Sequence, residues 1–142
     1  MKKKIYLAGA MGCYGTNNTY SKEWRRKTKE ILDDNFQIID PTYYYNYGYN
    51  EHKTEKEIMR FDMRKVLDSN IVLVNLKDLN KSLGTSDEIL LAYLNNIPII
   101  GFYEFDDHIT LIHSWKIEQI DRIEVGNDAL NKACDYIINY YS

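Results

Sequence analysis

The sequence is poor in cysteine, proline and net positive charge, and it has no long apolar run. Its two cysteines, Cys13 and Cys134, make neither a disulfide framework nor a metal-ligand spacing, and they read as free thiols of a reducing compartment. No stretch approaches the roughly 20 apolar residues of a membrane span. Met1-Lys2-Lys3-Lys4 before Ile5 to Gly12 mimics a secretory signal, but that apolar run is short and broken by glycine, and the charged Lys22 to Lys29 follows almost at once. A cytoplasmic protein without a membrane partner is the expectation. A net charge of −3 leaves no basic footprint for a nucleic acid polymer. His52, His108 and His113 share no spacing suited to a metal or a triad, so no metal is expected.

What is present is a regular alternation of two patterns. A length of 142 residues fits one domain, residues 1–142, and 44% apolar with 27% charged residues is a globular proportion. Lys4 to Ala10, Phe36 to Ile39, Asn70 to Leu76, Ile97 to Phe102 and Arg122 to Val125 read as short strands. Asp40-Pro41 stops the second, and Pro98 sits at the start of the fourth, where a missing N–H is tolerated. Helical patterns fill Ser21 to Asp33, Lys53 to Asp68, Thr85 to Asn96 and Asn127 to Tyr141, with a short helix within Glu104 to Gln119. Alternating short strands and helices predict an α/β, flavodoxin-like three-layer sandwich with a five-stranded parallel sheet in the order 2-1-3-4-5. Such sheets bind ligands beyond the carboxyl ends of their strands, where the order reverses. Here that point lies between the loops Gly9 to Thr19 and Lys77 to Gly84.

The second loop runs into Ser82-Leu83-Gly84-Thr85-Ser86-Asp87-Glu88. Gly84 allows a tight turn or a close ligand approach, and Ser82 with the first N–H groups of the next helix suits an anion or a hydroxyl. Glu88, placed in the first helical turn, has two readings: a carboxylate aimed at the strand ends, or the far half of a Thr85–Glu88 capping box. Tyr6, mid-strand, is either a core tyrosine or a hydroxyl that reaches Glu88. Asp62, between Arg60 and Arg64, is either a surface ion pair or a cleft residue if its helix faces the strand ends. Asp40 reads as a turn stabiliser beside Pro41. Of the 13 tyrosines, five crowd Tyr43 to Tyr49: a solvated loop, or an aromatic wall over a planar ligand.

Lys4-Ile5-Tyr6-Leu7-Ala8-Gly9-Ala10, Phe61-Asp62, Ser82-x-Gly84-x-x-x-Glu88 and Ile97-Pro98-Ile99-Ile100, in that order along nearly the whole chain, resemble the nucleoside 2-deoxyribosyltransferase superfamily. That superfamily includes the 2′-deoxynucleoside 5′-monophosphate N-hydrolases. The resemblance implies that Glu88 is a nucleophile, that Tyr6 positions it, and that Asp62 is an acid near base and sugar. It implies substrate contacts at Gly9, Ser82 and Gly84, and a Ser114 that reaches a neighbouring subunit's site in a homo-oligomer. The partners implied are a nucleoside or nucleotide and a free nucleobase, with no cofactor. Many transferases carry aspartate six residues before the nucleophile. Ser82 stands there instead, as in the hydrolases, yet Met11 to Tyr20 lacks the arginine that hydrolases use. Base exchange on free 2′-deoxynucleosides is the expectation, with a monophosphate N-hydrolase and a non-catalytic nucleotide-binding protein as the alternatives. Tyr140-Tyr141-Ser142 reads as helix packing, or as a functional carboxyl end.

Overall fold

Strands form where β-branched and large apolar residues run together. The computed structural model describes residues 1–11, 19–45, 52–105 and 112–142, with only the backbone at 44 and 45. Its strands are β1 (Lys3–Ala8), β2 (Phe36–Ile39), β3 (Ile71–Asn75), β4 (Ile99–Tyr103) and β5 (Arg122–Val125). Its helices are α1 (Thr19–Leu32), α2 (Thr42–Tyr45), α3 (Glu55–Leu67), α4 (Leu83–Leu94), α5 (Ser114–Gln119) and α6 (Ala129–Tyr141). All strand pairs are parallel, and the order is β2-β1-β3-β4-β5. β3 and β4 are buried along their whole length, as strands covered on both faces must be.

The alternation of side chains divides the core into two layers. Ile5, Leu7, Ile71, Leu73, Ile100 and Phe102 face α1 and α6. Tyr6, Ala8, Val72, Val74 and Ile99 face α3 and α4, through Val66, Ile89 and Ala92. The buried face of α1 is Ser21, Trp24, Arg25, Thr28 and Leu32, a helical stripe that contains a guanidinium. The buried face of α6 is Ala129, Leu130, Ala133, Cys134 and Ile137; burial pushes the Cys134 thiol up to about 12, so it is inert at neutral pH. Among the described residues no helix is long and apolar enough to cross a membrane.

Several boundaries depart from the sequence reading for local reasons. α4 starts two residues early because Ser82 is its cap, its Oγ accepting from Thr85 N at 3.3 Å. β4 starts two residues late because Asn96, at φ 57°, reverses the chain and Ile97 N donates back to Ala92 O at 3.0 Å. A capping box does occur, at the head of α3: Thr54 Oγ1 accepts from Glu57 N, and Glu57 Oε2 accepts from Lys53 N. Leu67, the last residue of that helix, is exposed. The expected loop Lys77 to Gly84 contains a 3-10 turn, Leu79–Lys81. The tyrosine-rich stretch opens with α2. Of its side chains only Tyr43, exposed, with Lys29 Nζ 6.0 Å from the ring centre, is described. The other tyrosines of the proposed wall lie outside the described side chains, as do Cys13 and His108.

Candidate active site

β1 and β3 are neighbours, and the chain leaves their carboxyl ends in opposite directions. A cleft of about 410 Å³ opens there, a size usual for small-ligand sites. Gly9, just past β1, lies on one side. Residues 81–85, with Asp87 and Glu88, lie on another. Ile58, Met59, Asp62 and Met63 of α3 close a third, and Met11 also reaches it.

Glu88 is not in the first turn of α4. Counted from Leu83 it stands in the second turn, and its position relative to Thr85, Ile89 and Ala92 puts it on the buried stripe of the helix. The capping reading therefore fails: the cap is Ser82, and the Glu88 carboxylate accepts a hydrogen bond from the Tyr6 hydroxyl through Oε2. Part of Glu88 opens to the cleft, while protein packs around its carboxyl group. This burial raises its pKa to about 8; the Tyr6 hydrogen bond opposes the rise, and the negative charge of Asp62 adds to it. Tyr6 is 1% exposed. Burial, then the charges of Glu88 and Asp62, hold its own pKa well above the usual value, so it remains a donor.

Asp62 belongs to the cleft. Ile58, Asp62 and Val66 fall at helical spacing on the side of α3 that faces α4, whereas Arg60 and Arg64 are exposed. Its charge bears on both Glu88 and Tyr6.

Gly9 is required by packing: a Cβ there would sit 2.9 Å from the Trp24 ring. Gly84 is not needed for its backbone, since a Cβ would meet nothing within 4 Å. It leaves the cleft wall low beside Glu88. Ser82 lines the cleft, but its hydroxyl is engaged with Thr85 Oγ1 at 2.7 Å. Lys81, beside it, is exposed, with Nζ 3.8 Å from Asp78 Oδ1, and brings a positive charge to the rim.

Ser114 does not join this cleft within one chain. It is exposed at the start of α5, whose cap is His113. The adjoining cavity of about 430 Å³ is lined by Leu83, Leu90, Ile112, Trp115 and Lys116, and shares Ser82 and Leu83 with the first. Leu83 is 84% and Trp115 73% exposed. Asp40 does hold its turn, accepting from Thr42 N at 2.9 Å, and it also lies 3.8 Å from Arg25 and 3.6 Å from Lys29. Tyr141 borders Asn96, Pro98 and Asp121 at the opposite end of the sheet, and its ring packs with Tyr136, as helix packing requires. Among the described residues no three His, Cys, Asp or Glu side chains gather as a metal site.

The sequence reading missed Lys81 and the apolar wall of Met11, Met59 and Met63. Met59 and Met63 were legible as the i−3 and i+1 neighbours of Asp62 once its helix was turned toward the cleft.

A scan against protein-family models finds no match, and a search of curated proteins finds none. Solved structures do match over nearly the full length. A conserved protein from Enterococcus faecalis V583 superposes with a TM-score of 0.75 at 17% identity, covering 96% of this chain and 99% of that one. A 2-deoxyribosyltransferase from Bacillus psychrosaccharolyticus gives 0.66 at 16% identity, covering 98% and 92%. The CMP N-glycosidase of Clostridium botulinum gives 0.64 at 11% identity, covering 97% and 99%. The shared property is the fold, which this chain has in common with enzymes of N-glycosidic bonds.

Proposed function

We propose that this protein cleaves the N-glycosidic bond of a 2′-deoxynucleoside and passes the deoxyribosyl group to a second base. The observation that carries the reading is the carboxylate of the half-buried Glu88, fixed by the Tyr6 hydroxyl at the crevice where the strand order reverses. Two of the solved structures that share the fold, a 2-deoxyribosyltransferase and a CMP N-glycosidase, support it.

The chemistry follows from charge. As the bond between the sugar's anomeric carbon and the base nitrogen breaks, its electron pair leaves with the base and positive character grows on the sugar. A Glu88 oxygen forms the new bond to that carbon, giving a glycosyl ester. Burial makes the free carboxylate costly, with a pKa of about 8, but a cationic sugar above it supplies the missing counter-charge. In the reacting form Glu88 is ionised and Asp62 carries the proton that the two neighbouring acids share; Asp62 gives it to the departing base nitrogen and takes one back from the incoming base. Attack of that base on the same carbon expels Glu88 as carboxylate. The wall of Met11, Met59 and Met63 offers a polarisable face to a planar base.

Lys81 favours a second reading, a 5′-monophosphate N-glycosidase in which water replaces the second base. An exposed ammonium next to Ser82 and the start of α4 suits a phosphate. Incubating the protein with a deoxynucleoside and with its monophosphate, each with and without an acceptor base, separates the two. Exchanged nucleoside supports transfer; free base from the monophosphate alone supports the hydrolase. No cleavage by wild-type protein, or undiminished cleavage by Glu88→Gln, overturns both.

A further inference from the structure

Arg25 is a cation with no exposed surface, on the face of the sheet opposite Glu88. Its Nε and Nη2 donate to Leu7 O, both at 3.3 Å, and Nη2 also donates to Gly9 O at 3.1 Å. Nη1 donates to Ser21 O at 3.1 Å and to Ser21 Oγ at 2.5 Å. The guanidinium lies 4.5 Å from the centre of the Trp24 ring and 3.8 Å from Asp40 Oδ1.

The sheet explains why an arginine is there. Lys4 N and O both bond to Asn70 on the β3 side, so the alternate carbonyls of Leu7 and Gly9 turn toward β2. The β1–β2 register ends at Tyr6 opposite Ile39. Continued, it would set Pro41 against Leu7 O and Tyr43 N against Gly9 O. Pro41 has no N–H, and Tyr43 N turns back to Asp40 O at 3.2 Å. The guanidinium fork supplies the two missing donors. Leu7 adjoins Tyr6, and Gly9 lines the cleft, so the group that completes this edge also sets the cleft floor.

Resting on the function proposed above, we propose that Arg25 is a positioning residue: it replaces the absent end of β2, holds Tyr6 and Gly9 in register with Glu88, and stands as a buried positive charge behind that carboxylate. Its charge works against the burial and the Asp62 repulsion that hinder Glu88 ionisation. Asp40, shared with Lys29, is a counter-ion of Arg25 at 3.8 Å.

The test is a carbon NMR titration of the Glu88 carboxyl, assigned by its loss in Glu88→Gln, together with the pH profile of kcat. Arg25→Met, lacking charge and fork, moves the Glu88 midpoint up by about half a pH unit or more and the acid limb of kcat with it. Arg25→Lys keeps the charge and loses the fork: the midpoint stays, while kcat falls by about tenfold or more in protein shown folded by its melting transition. Should the methionine variant fail to fold, the lysine variant decides by that rate loss at an unmoved midpoint. Folded variants that melt lower but titrate and turn over as wild type does make Arg25 merely structural and overturn the proposal. The titration needs no substrate, so absence of cleavage by wild-type protein defeats the function while leaving Arg25 testable.

Discussion

The Tyr6 hydroxyl on β1 donates to Glu88 Oε2 on α4, across 82 residues of sequence. This bond joins the strand and the helix that flank the cleft. It gives the carboxylate one orientation at the wall of the cleft.

Glu88→Gln abolishes glycosidic cleavage and changes the pH dependence of stability. In the unfolded chain Glu88 titrates near 4.5, and in the fold near 8. Below pH 4.5 both forms are protonated and the carboxyl costs nothing. As pH rises from 4.5 to 8 the fold loses stability, on the order of a few kcal/mol, and above 8 the loss is constant. The Gln variant therefore melts progressively higher than wild type across that window. Melting curves from pH 5 to 9 check this, and a difference independent of pH contradicts it.

Tyr6→Phe keeps the packing and removes the donor. Hydrogen bonds to charged groups contribute about 1.5–3 kcal/mol, so kcat falls by about tenfold to a hundredfold. That bond holds the Glu88 pKa down, so the acid limb of the rate profile moves to higher pH. A loss of melting temperature with an unmoved limb returns Tyr6 to the core.

Asp62→Asn removes a like charge from the neighbourhood of Glu88 and moves the acid limb the other way, to lower pH. If Asp62 is the acid, kcat at the optimum falls as well. An unaltered profile puts Asp62 outside the reaction.

Lys81→Ala separates the two substrates. It raises KM for the monophosphate while leaving the nucleoside unchanged if the ammonium meets a phosphate, and Ser82→Ala acts in the same direction. Equal effects on both substrates count against a phosphate subsite.

Ser114 is reached only from outside the chain's own cleft, so its role in a site requires a second subunit. The exposed Leu83, Leu90 and Trp115 line the cavity that adjoins the cleft. Sedimentation of a dimer or larger species is expected, and Trp115→Ser shifts it toward monomer with loss of activity. A fully active monomer removes Ser114 from the site.

The sequence by itself determined the layers. β3 and β4 are legible because apolar runs of that length, bounded by helices, have to be covered on both faces, and the sheet order and crevice follow from the alternation. Tyr6, Asp62 and Glu88 are legible as candidate residues but not in their contacts. Whether Glu88 caps a helix or enters a cleft depended on where α4 began, and one hydroxyl, that of Ser82, settled it. The sequence carries one signal for Arg25, its place on the helical stripe Ser21, Trp24, Arg25, Thr28, Leu32. Only the tertiary structure could say why a charge is tolerated there. The reason is a strand that ends at a proline and two carbonyls on another strand left needing donors, a relation no local window of sequence contains.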